Sequence, residues 1–177
     1  GKSGISVLDV GCGNASFISL LAKRGFKVSG TEIAIDSHFA GDSVIYRKDL
    51  EDCGFSDKSF DAITMWHTLE HFIEPEKYLA EAKRILKDGG FLIIETPNFY
   101  SWQSKLTKGD WFHLDVPRHL VHYEPKTLVN FLEKSGFSVF KISHFSFAYS
   151  IFGFTQSVIN FFTKRKNLLF DILNRKA

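Results

Sequence analysis

The sequence predicts an α/β fold with a doubly wound, mostly parallel Rossmann-like sheet and helices on both faces. Short apolar runs alternate with helical patterns over the first hundred residues, and a glycine-rich turn follows the first run. Strands that are separated by single helices imply βαβ crossovers and hence parallel pairing. The chain has 177 residues, of which 44% are hydrophobic. That composition supports a sizeable core and excludes intrinsic disorder and collagen-like fibres.

The strands are predicted from apolar runs that end at glycine, proline or polar residues. The largely apolar run at 60–66 is typical of a strand buried on both faces. A strand is also expected at 137–142, after a helix that Gly136 ends. The other expected strands lie at 5–10, 26–30, 44–46 and 91–96.

The helices are predicted from their end signals and apolar spacing. Asn14 is a suitable N-cap for a first helix that ends at Gly25. Pro75 suits the first turn of the best-marked helix, whose apolar face includes Tyr78, and Lys87 and Gly89 indicate its end. Further helices are expected at 33–39, at 125–135 and from residue 145 onwards.

We expect a main domain over 1–144 and an aromatic helical extension over 145–177, and both ends of the chain look cut. Within the main domain, the aromatic segment 98–123 has the length and irregularity of a lid-like binding loop. The extension carries an apolar stripe that is followed by basic residues at 164–166. Packing on a sheet edge or a second subunit is favoured for this stripe, and an interfacial membrane helix is the alternative. Its members are Phe147, Ile151, Phe154, Val158 and Phe161.

Charge and cysteine content narrow the class of protein further. A net charge of +2 is too weak and too scattered to indicate a nucleic-acid binder. Cys12 and Cys53 have neither zinc-ligand spacing nor a disulfide framework, which favours a reducing compartment. A signal peptide and an apolar run of about eighteen residues are both absent from the sequence. We therefore expect a cytoplasmic protein that is a monomer or a homodimer.

The glycine turn after the first strand is the predicted ligand loop. Ligands of open parallel sheets bind beyond the carboxyl ends of the strands. Gly11 and Gly13 allow a tight turn and a close approach, and the helix that follows Asn14 offers unpaired N–H groups. Glu32 stands where an acid can accept hydrogen bonds from both ribose hydroxyls.

The residues around this loop favour S-adenosylmethionine over a dinucleotide. The dinucleotide pattern G-x-G-x-x-G requires a glycine at the position of Ser16. Asp9, two residues before Gly11, would repel a pyrophosphate but suits a positively charged ligand. S-adenosylmethionine carries an ammonium and a sulfonium and no phosphate. A nicotinamide-dependent oxidoreductase is the alternative from another class.

The segment 7–14 resembles motif I of the class I S-adenosylmethionine-dependent methyltransferases, and the resemblance extends over about residues 5–142. It implies a strand order of 3-2-1-4-5 with the sixth strand beyond. Segment 60–71 resembles the family's fourth-strand motif, and 86–92 resembles its turn into strand five. The cofactor-binding residues that the resemblance and the loop together indicate are Asp9, Gly11, Gly13, Asn14, Glu32, Ile33, Asp49, Leu50, Trp66 and His67.

The resemblance implies transfer of a methyl group to a small-molecule acceptor, by in-line displacement at the cofactor sulfonium, with S-adenosylhomocysteine as product. The sequence is similar to the broad branch that includes quinone-biosynthesis methyltransferases. Segment 111–123 resembles a subset of uncharacterised bacterial members found near cell-surface sugar genes, which suggests a partly apolar or a lipid- or sugar-linked acceptor. O-, N- and C-methylation stay open. A cofactor-binding module without turnover is a further alternative.

Several candidate residues have a plainer interpretation. Asp49 lies in an acidic loop and could be a solvated charge, and Trp66 could belong to the core. His119 and His122 are candidate catalytic bases, because histidine titrates near neutral pH, but they could instead cap a helix or pack on aromatics. Residues 67–71 spell the zinc-protease pattern H-x-x-E-H, which we reject because His67 ends a strand. No metal is expected.

Overall fold

The structure of the protein is a computed structural model that describes residues 4–33, 44–144, 147–163 and 170–171. The chain divides into two compact units. The first unit comprises residues 1–96 with 135–137, and the second comprises 97–134 with 138–177. The boundary at residue 97 coincides with the start of the predicted lid-like segment, whereas the predicted main domain continues to 144.

The first unit is built on a five-stranded parallel sheet with the order β3-β2-β1-β4-β5, which confirms the predicted order. In such a sheet the chain reverses its direction of winding between β1 and β4, and ligands bind at that switch point. The strands are β1 (Ser6–Val10), β2 (Lys27–Thr31), β3 (Val44–Tyr46), β4 (Phe60–Trp66) and β5 (Leu86–Glu95).

Two of the helices predicted for the first unit are present. Helix α1 spans Ser16–Ala22, and helix α2 spans Pro75–Ile85. Helix α2 ends before Lys87, and β5 begins earlier than expected, because Leu86 already pairs with Phe60 of β4. The turn around Gly89 therefore lies inside the strand, where it shifts the register of the ladder. Short 3-10 turns follow β3 at Glu51–Cys53 and β4 at Leu69–His71.

Two predicted elements have a different outcome. The helix expected at 33–39 lies outside the described residues after Ile33. The sixth strand expected at 137–142 is wrong for the described chain, because residues 138–144 carry no regular secondary structure. A strand is stabilised by hydrogen bonds to a neighbouring strand. No described strand pairs with this segment in the sheet, and Phe140 is 78% exposed.

The core of the first unit lies between the sheet and its helices. Leu8 of β1 and Ile63 of β4 are fully buried, and so are Leu79 and Ile85 of α2. Each such side chain contributes about 1.5–3 kcal/mol relative to its exposed state. The central strands β1 and β4 are thereby held rigidly, which fixes the position of the loops at their carboxyl ends.

The second unit is helical, with 3-10 turns at Lys108–Asp110 and Phe112–Leu114. Its helices are α3 (Trp102–Thr107), α4 (Pro125–Lys134) and α5 (Phe147–Thr163). Helix α4 and the helical extension were predicted. The segment 98–123 is less irregular than expected, because it contains α3 and both turns.

Helix α5 does not bury the apolar stripe that the sequence predicts. Its buried residues are Gly153 and the polar residues Gln156, Ser157 and Asn160, whereas Phe161 is 45% exposed. Packing of the stripe on a sheet edge or a second subunit stays a prediction. Phe154 and Val158 are half-buried, and the side chains of Phe147 and Ile151 lie outside the described part. No helix among the described residues combines the length and apolarity needed to cross a bilayer.

Candidate functional site

The candidate site lies at the carboxyl ends of β1, β2 and β4. Val10 pairs with Thr31, and Asp9 pairs with Thr64, so the ends of these strands meet at one edge of the sheet. The glycine loop between β1 and α1 starts at this edge. Its backbone is left-handed at three alternating positions, with φ of 72° at Gly11, 52° at Gly13 and 59° at Ala15.

The two glycines are required for different reasons. A Cβ on Gly11 would lie 2.5 Å from Cγ2 of Thr68, so this position tolerates no side chain. A Cβ on Gly13 would meet nothing within 4 Å. Gly13 therefore serves the left-handed conformation and leaves the loop open on that side.

The backbone amides of the loop bind within the chain. The amides of Gly11 and Cys12 both donate to the carbonyl oxygen of Thr31, at 2.9 and 3.0 Å. The amide of Gly13 donates to Oε2 of Glu32 at 2.9 Å. These bonds tie the loop after β1 to the end of β2 and fix its shape.

The start of helix α1 differs from the sequence prediction. Ala15, and not Asn14, is the N-cap residue. The Asn14 side chain still serves the helix, because its Oδ1 accepts from the Ser16 amide at 3.1 Å. The Ala15 amide donates to the carbonyl oxygen of Cys12. The expectation that this helix offers unpaired N–H groups to a ligand is therefore wrong at Ser16.

Asp9 is a buried carboxylate beneath this loop. Its side chain is 2% exposed, and its Oδ1 accepts a hydrogen bond from the Thr64 hydroxyl at 2.6 Å. Burial raises the pKa of Asp9 to about 6, the Thr64 bond opposes the rise, and the charge of Glu32 adds to it. The site therefore combines two mutually repelling acids and is well disposed toward a cation.

Glu32 and Ile33 follow β2 directly. Glu32 is half-buried, and its backbone amide donates to the carbonyl oxygen of Tyr46. Ile33 is 60% exposed and is the last described residue before 44. Glu32 thus lies where the sequence places the ribose-binding acid, against Gly13.

Asp49 follows β3 and is held by two hydrogen bonds. Its Oδ1 accepts from the amide of Leu50, and its Oδ2 accepts from the Tyr78 hydroxyl, each at 2.7 Å. Asp49 is therefore an anchored acceptor and not a solvated charge. Sequence reasoning placed Tyr78 on the apolar face of α2 and missed this bond. A tyrosine hydroxyl usually forms a hydrogen bond when its ring is buried, and this tendency could have indicated the bond from the sequence.

Tyr78 is held in turn by its surroundings. Its ring stacks on Phe72, with 3.4 Å between ring centroids and 5° between the planes. Burial raises the pKa of the Tyr78 hydroxyl, and the bond to Asp49 raises it further. The hydroxyl therefore stays protonated and donates. Leu50 is 1% exposed and belongs to the core beside Asp49.

Trp66 and His67 end β4. The Trp66 ring lies edge-to-face with Phe17 at 5.4 Å, and its buried Nε1 has no acceptor among the described residues. His67 has a left-handed backbone with φ of 51°. Its ring nitrogens lie 3.5 Å from a Glu70 oxygen and 3.3 Å from a Glu95 oxygen. Burial alone would lower the pKa of His67, but the two glutamates outweigh it and raise the pKa.

The pattern H-x-x-E-H does not form the helical arrangement that zinc proteases use. His67 is the first residue after β4, whereas Glu70 and His71 lie in the 3-10 turn Leu69–His71. The two histidines are therefore not one turn apart on a common helix.

The candidate bases His119 and His122 belong to the second unit. Nδ1 of His119 lies 2.8 Å from the carbonyl oxygen of His113, and Nε2 of His122 lies 2.8 Å from that of Leu114. The His122 ring also contacts Phe99, with 5.4 Å between centroids. Each histidine thus uses one ring nitrogen to hold the turn at 112–114, and a catalytic role for either stays a prediction.

Fold and site together define a class of protein: a doubly wound α/β domain whose switch-point loop is lined by carboxylates. A protein family described as the methyltransferase domain matches residues 1–142. The chain belongs to this methyltransferase family.

The chain is similar to curated enzymes of quinone biosynthesis. It is 31% identical over 131 residues to the mitochondrial ubiquinone biosynthesis O-methyltransferase of Candida albicans, covering 65% of this chain and 40% of that protein. It is 33% identical over 99 residues to the demethylmenaquinone methyltransferase of Tropheryma whipplei, covering 52% and 41%. The chain thus spans less than half of these two relatives.

A solved structure supports the fold. A SAM-dependent methyltransferase from Archaeoglobus fulgidus matches with a TM-score of 0.65 at 22% identity, covering 90% of this chain and 80% of that one. At this identity the likeness shows that the two chains share a fold.

Proposed function

We propose that this chain binds S-adenosylmethionine at the loop 11–15 and transfers its methyl group to a small-molecule acceptor. One observation carries the proposal: the amides of Gly11, Cys12, Gly13, Ala15 and Ser16 donate within the chain, while Asp9 and Glu32 place negative charge around the loop. A phosphate would need free N–H donors here and would be repelled by both acids. A cationic nucleoside without phosphate has the complementary charge.

Each acid at the strand ends binds a different part of the cofactor. Glu32, which accepts from the Gly13 amide, also accepts hydrogen bonds from the ribose hydroxyls. Asp49, oriented by Tyr78, accepts from the adenine amino group, and Ile33 supplies apolar surface next to these acids. The buried Leu50 contributes its backbone amide, which holds Asp49. Asp9 acts from beneath the loop as a fixed negative charge that favours the ammonium and sulfonium.

The residues that end β4 fit such a cofactor as well. The buried Trp66 Nε1 is a donor without an acceptor among the described residues, and a cofactor carboxylate supplies one. His67 is held between Glu70 and Glu95 and keeps this edge of the pocket rigid.

When bound, S-adenosylmethionine supplies a methyl group on a good leaving group, so that the acceptor forms its bond to carbon as the bond to sulfur breaks. The protein's task is to position the acceptor in line and to exclude water. A proton must leave an acceptor hydroxyl or amine as its charge develops. His119 and His122 are the proposed bases, since each donates from one ring nitrogen and could accept at the other.

The acceptor class follows from the relatives and the sequence together. The similar proteins are named for methyl transfer in ubiquinone biosynthesis and to demethylmenaquinone. We propose a partly apolar small molecule, free or linked to a lipid or sugar, and a cytoplasmic protein that works as a monomer or a homodimer.

Calorimetric titration with S-adenosylhomocysteine and with NAD tests the binding step. We expect heat with the first ligand and none with the second. Glu32→Gln should weaken binding at least tenfold, because a neutral amide accepts ribose hydroxyls less strongly. Asp61→Asn is the matched control, since Asp61 lies on β4 and binds Ser6 at its amino end. Preferential NAD binding, or equal losses in both variants, would contradict the proposal.

Methyl transfer is tested separately from binding. The full chain is incubated with methyl-labelled S-adenosylmethionine and a panel of catechols, quinols and sugar-linked lipids, and label is followed into the acceptor. Cofactor binding without transfer to any acceptor would instead support a module that has lost turnover.

A further inference from the structure

Helices α3 and α5 of the second unit bury polar side chains and expose large apolar ones. In α3 the buried residues are Ser104 and Thr107, whereas Trp102 and Leu106 are each 61% exposed. A helix of a globular protein normally buries its apolar face. The reversed arrangement means that the apolar side of α3 faces outward.

Helix α5 also buries polar side chains, and these side chains are hydrogen-bonded. The Gln156 amide donates to the Asn160 side chain at 2.7 Å, and the Ser157 hydroxyl accepts from the amide of Phe112 at 2.9 Å. Because these buried polar groups have partners, the orientation of α5 is stabilised by hydrogen bonds. Phe161 and Phe162 are left 45% and 77% exposed.

The outward sides of the two helices form one surface. The Trp102 ring contacts the Phe154 ring, with 4.8 Å between centroids. Phe161 lies seven residues after Phe154, which places it on the same face of α5 about 10 Å further along. We name this surface the aromatic face. It comprises Tyr100, Trp102, Leu106, Phe161 and Phe162.

Two lysines lie on or next to helix α3, which carries part of the aromatic face. Lys105 lies over the Tyr100 ring, with its Nζ 3.3 Å from the ring centroid, and Lys108 is also exposed. The sequence of the second unit holds eleven lysines and arginines against five aspartates and glutamates. The excess of acids is confined to the first unit, because the whole chain has a net charge of only +2.

From this geometry we propose that the aromatic face is a docking surface for an anionic lipid membrane. Tryptophan and tyrosine favour the boundary between lipid and water, and lysine extends its ammonium toward anionic headgroups. Two copies of this unit would repel each other through their positive charge, so the charge favours lipid over self-association. The surface binds from one side, since no described helix can span the bilayer. The proposal does not depend on the methyltransferase reaction.

Vesicle flotation of the full chain tests the docking surface. We expect flotation with vesicles of phosphatidylcholine and phosphatidylglycerol, loss of flotation at high salt, and little with phosphatidylcholine alone. Replacement of Lys105 or Lys108 by glutamine should weaken binding about fivefold each. The double variant Leu106→Ser/Phe162→Ser should weaken it at least about tenfold. Ile73→Ser is the matched control, because Ile73 is 86% exposed on the first unit and should leave binding unchanged.

Two further measurements make the outcome decisive. Lipids brominated near the headgroup should quench tryptophan fluorescence in the wild-type chain, and Trp102→Phe should remove most of that quenching. Circular dichroism and thermal unfolding verify that each variant is folded. The proposal is overturned if anionic vesicles do not float the chain, or if Leu106→Ser/Phe162→Ser floats as the wild type does. A concentration-dependent dimer in sedimentation that this double variant abolishes would identify a second copy as the occupant instead.

Discussion

Replacing the buried carboxylate of Asp9 with an amide should make the protein more stable and remove its cofactor binding. Asp9 is 2% exposed, and its compensating hydrogen bond within the chain is the one from Thr64. The Oδ1 atom of asparagine can accept the same bond. The variant Asp9→Asn therefore keeps the packing and the Thr64 bond while it removes a charge that burial disfavours.

The size of the expected gain in stability follows from the pKa of Asp9, which rises from 3.8 to about 6 on folding. Each pKa unit corresponds to about 1.4 kcal/mol, so ionised Asp9 lowers the free energy of unfolding by about 3 kcal/mol at neutral pH. This loss develops as the pH rises from 3.8 to about 6, because over that range the unfolded chain has released the proton and the folded chain retains it. At more acidic pH both states are protonated, and the difference between variant and wild type vanishes.

Urea unfolding of both proteins between about pH 4 and pH 8 measures this difference directly. We expect Asp9→Asn to gain up to about 3 kcal/mol at neutral pH and almost nothing at the acid end. Asp61→Asn is a control of opposite sign, because Lys87 and Ser6 lower the pKa of Asp61, so its contribution to stability is lost as the pH falls. The reasoning is refuted if Asp9→Asn is destabilised at neutral pH, or if its gain does not depend on pH.

Three other changes test the site. Gly11→Ala should unfold part of the loop and abolish cofactor binding, because its Cβ would collide with Thr68. Gly13→Ala has room for its Cβ but an unfavourable φ, so it should lower the stability measured by thermal unfolding by about 1 kcal/mol. Tyr78→Phe should weaken the binding of S-adenosylhomocysteine about fivefold in calorimetry, since Asp49 loses a donor that orients it, and an unchanged affinity would exclude that role. Cofactor affinity should fall as the pH drops below about 6, because a cation requires ionised Asp9; an affinity that rises toward acid pH would indicate an anionic ligand.

The strands and the loop could be predicted because their signals are local. The apolar run at 60–66 matches β4 residue for residue, and the glycines at 11 and 13 mark the turn after β1. Helix starts at Pro75 and Pro125 were also predicted, since proline is favoured in the first helical turn. Each of these features depends on a few neighbouring residues and the hydrophobic period.

The features that escaped prediction depend on contacts between distant segments. Tyr78 was assigned to an apolar face, because only the fold brings its hydroxyl to Asp49, 29 residues earlier. What covers the stripe containing Phe161 could not be decided from sequence, because hydrophobic spacing identifies the faces of a helix but not which one is covered. Buried hydrogen bonds of Ser157 and Asn160 hold α5 in its orientation, and they join it to Phe112 and Asp110, which lie 45 and 50 residues earlier.

A buried aspartate next to a second acid is a poor choice for stability alone. Asparagine at position 9 could accept the same bond from Thr64 and would remove the repulsion with Glu32. The folded state without ligand therefore bears a free-energy cost that the strand and its packing do not require. A cation bound above the loop would make the charge of Asp9 favourable, because the cation attracts the carboxylate and lowers its pKa. Asp9 thus explains two things: its buried charge is unfavourable within the chain, and the ligand should be positively charged.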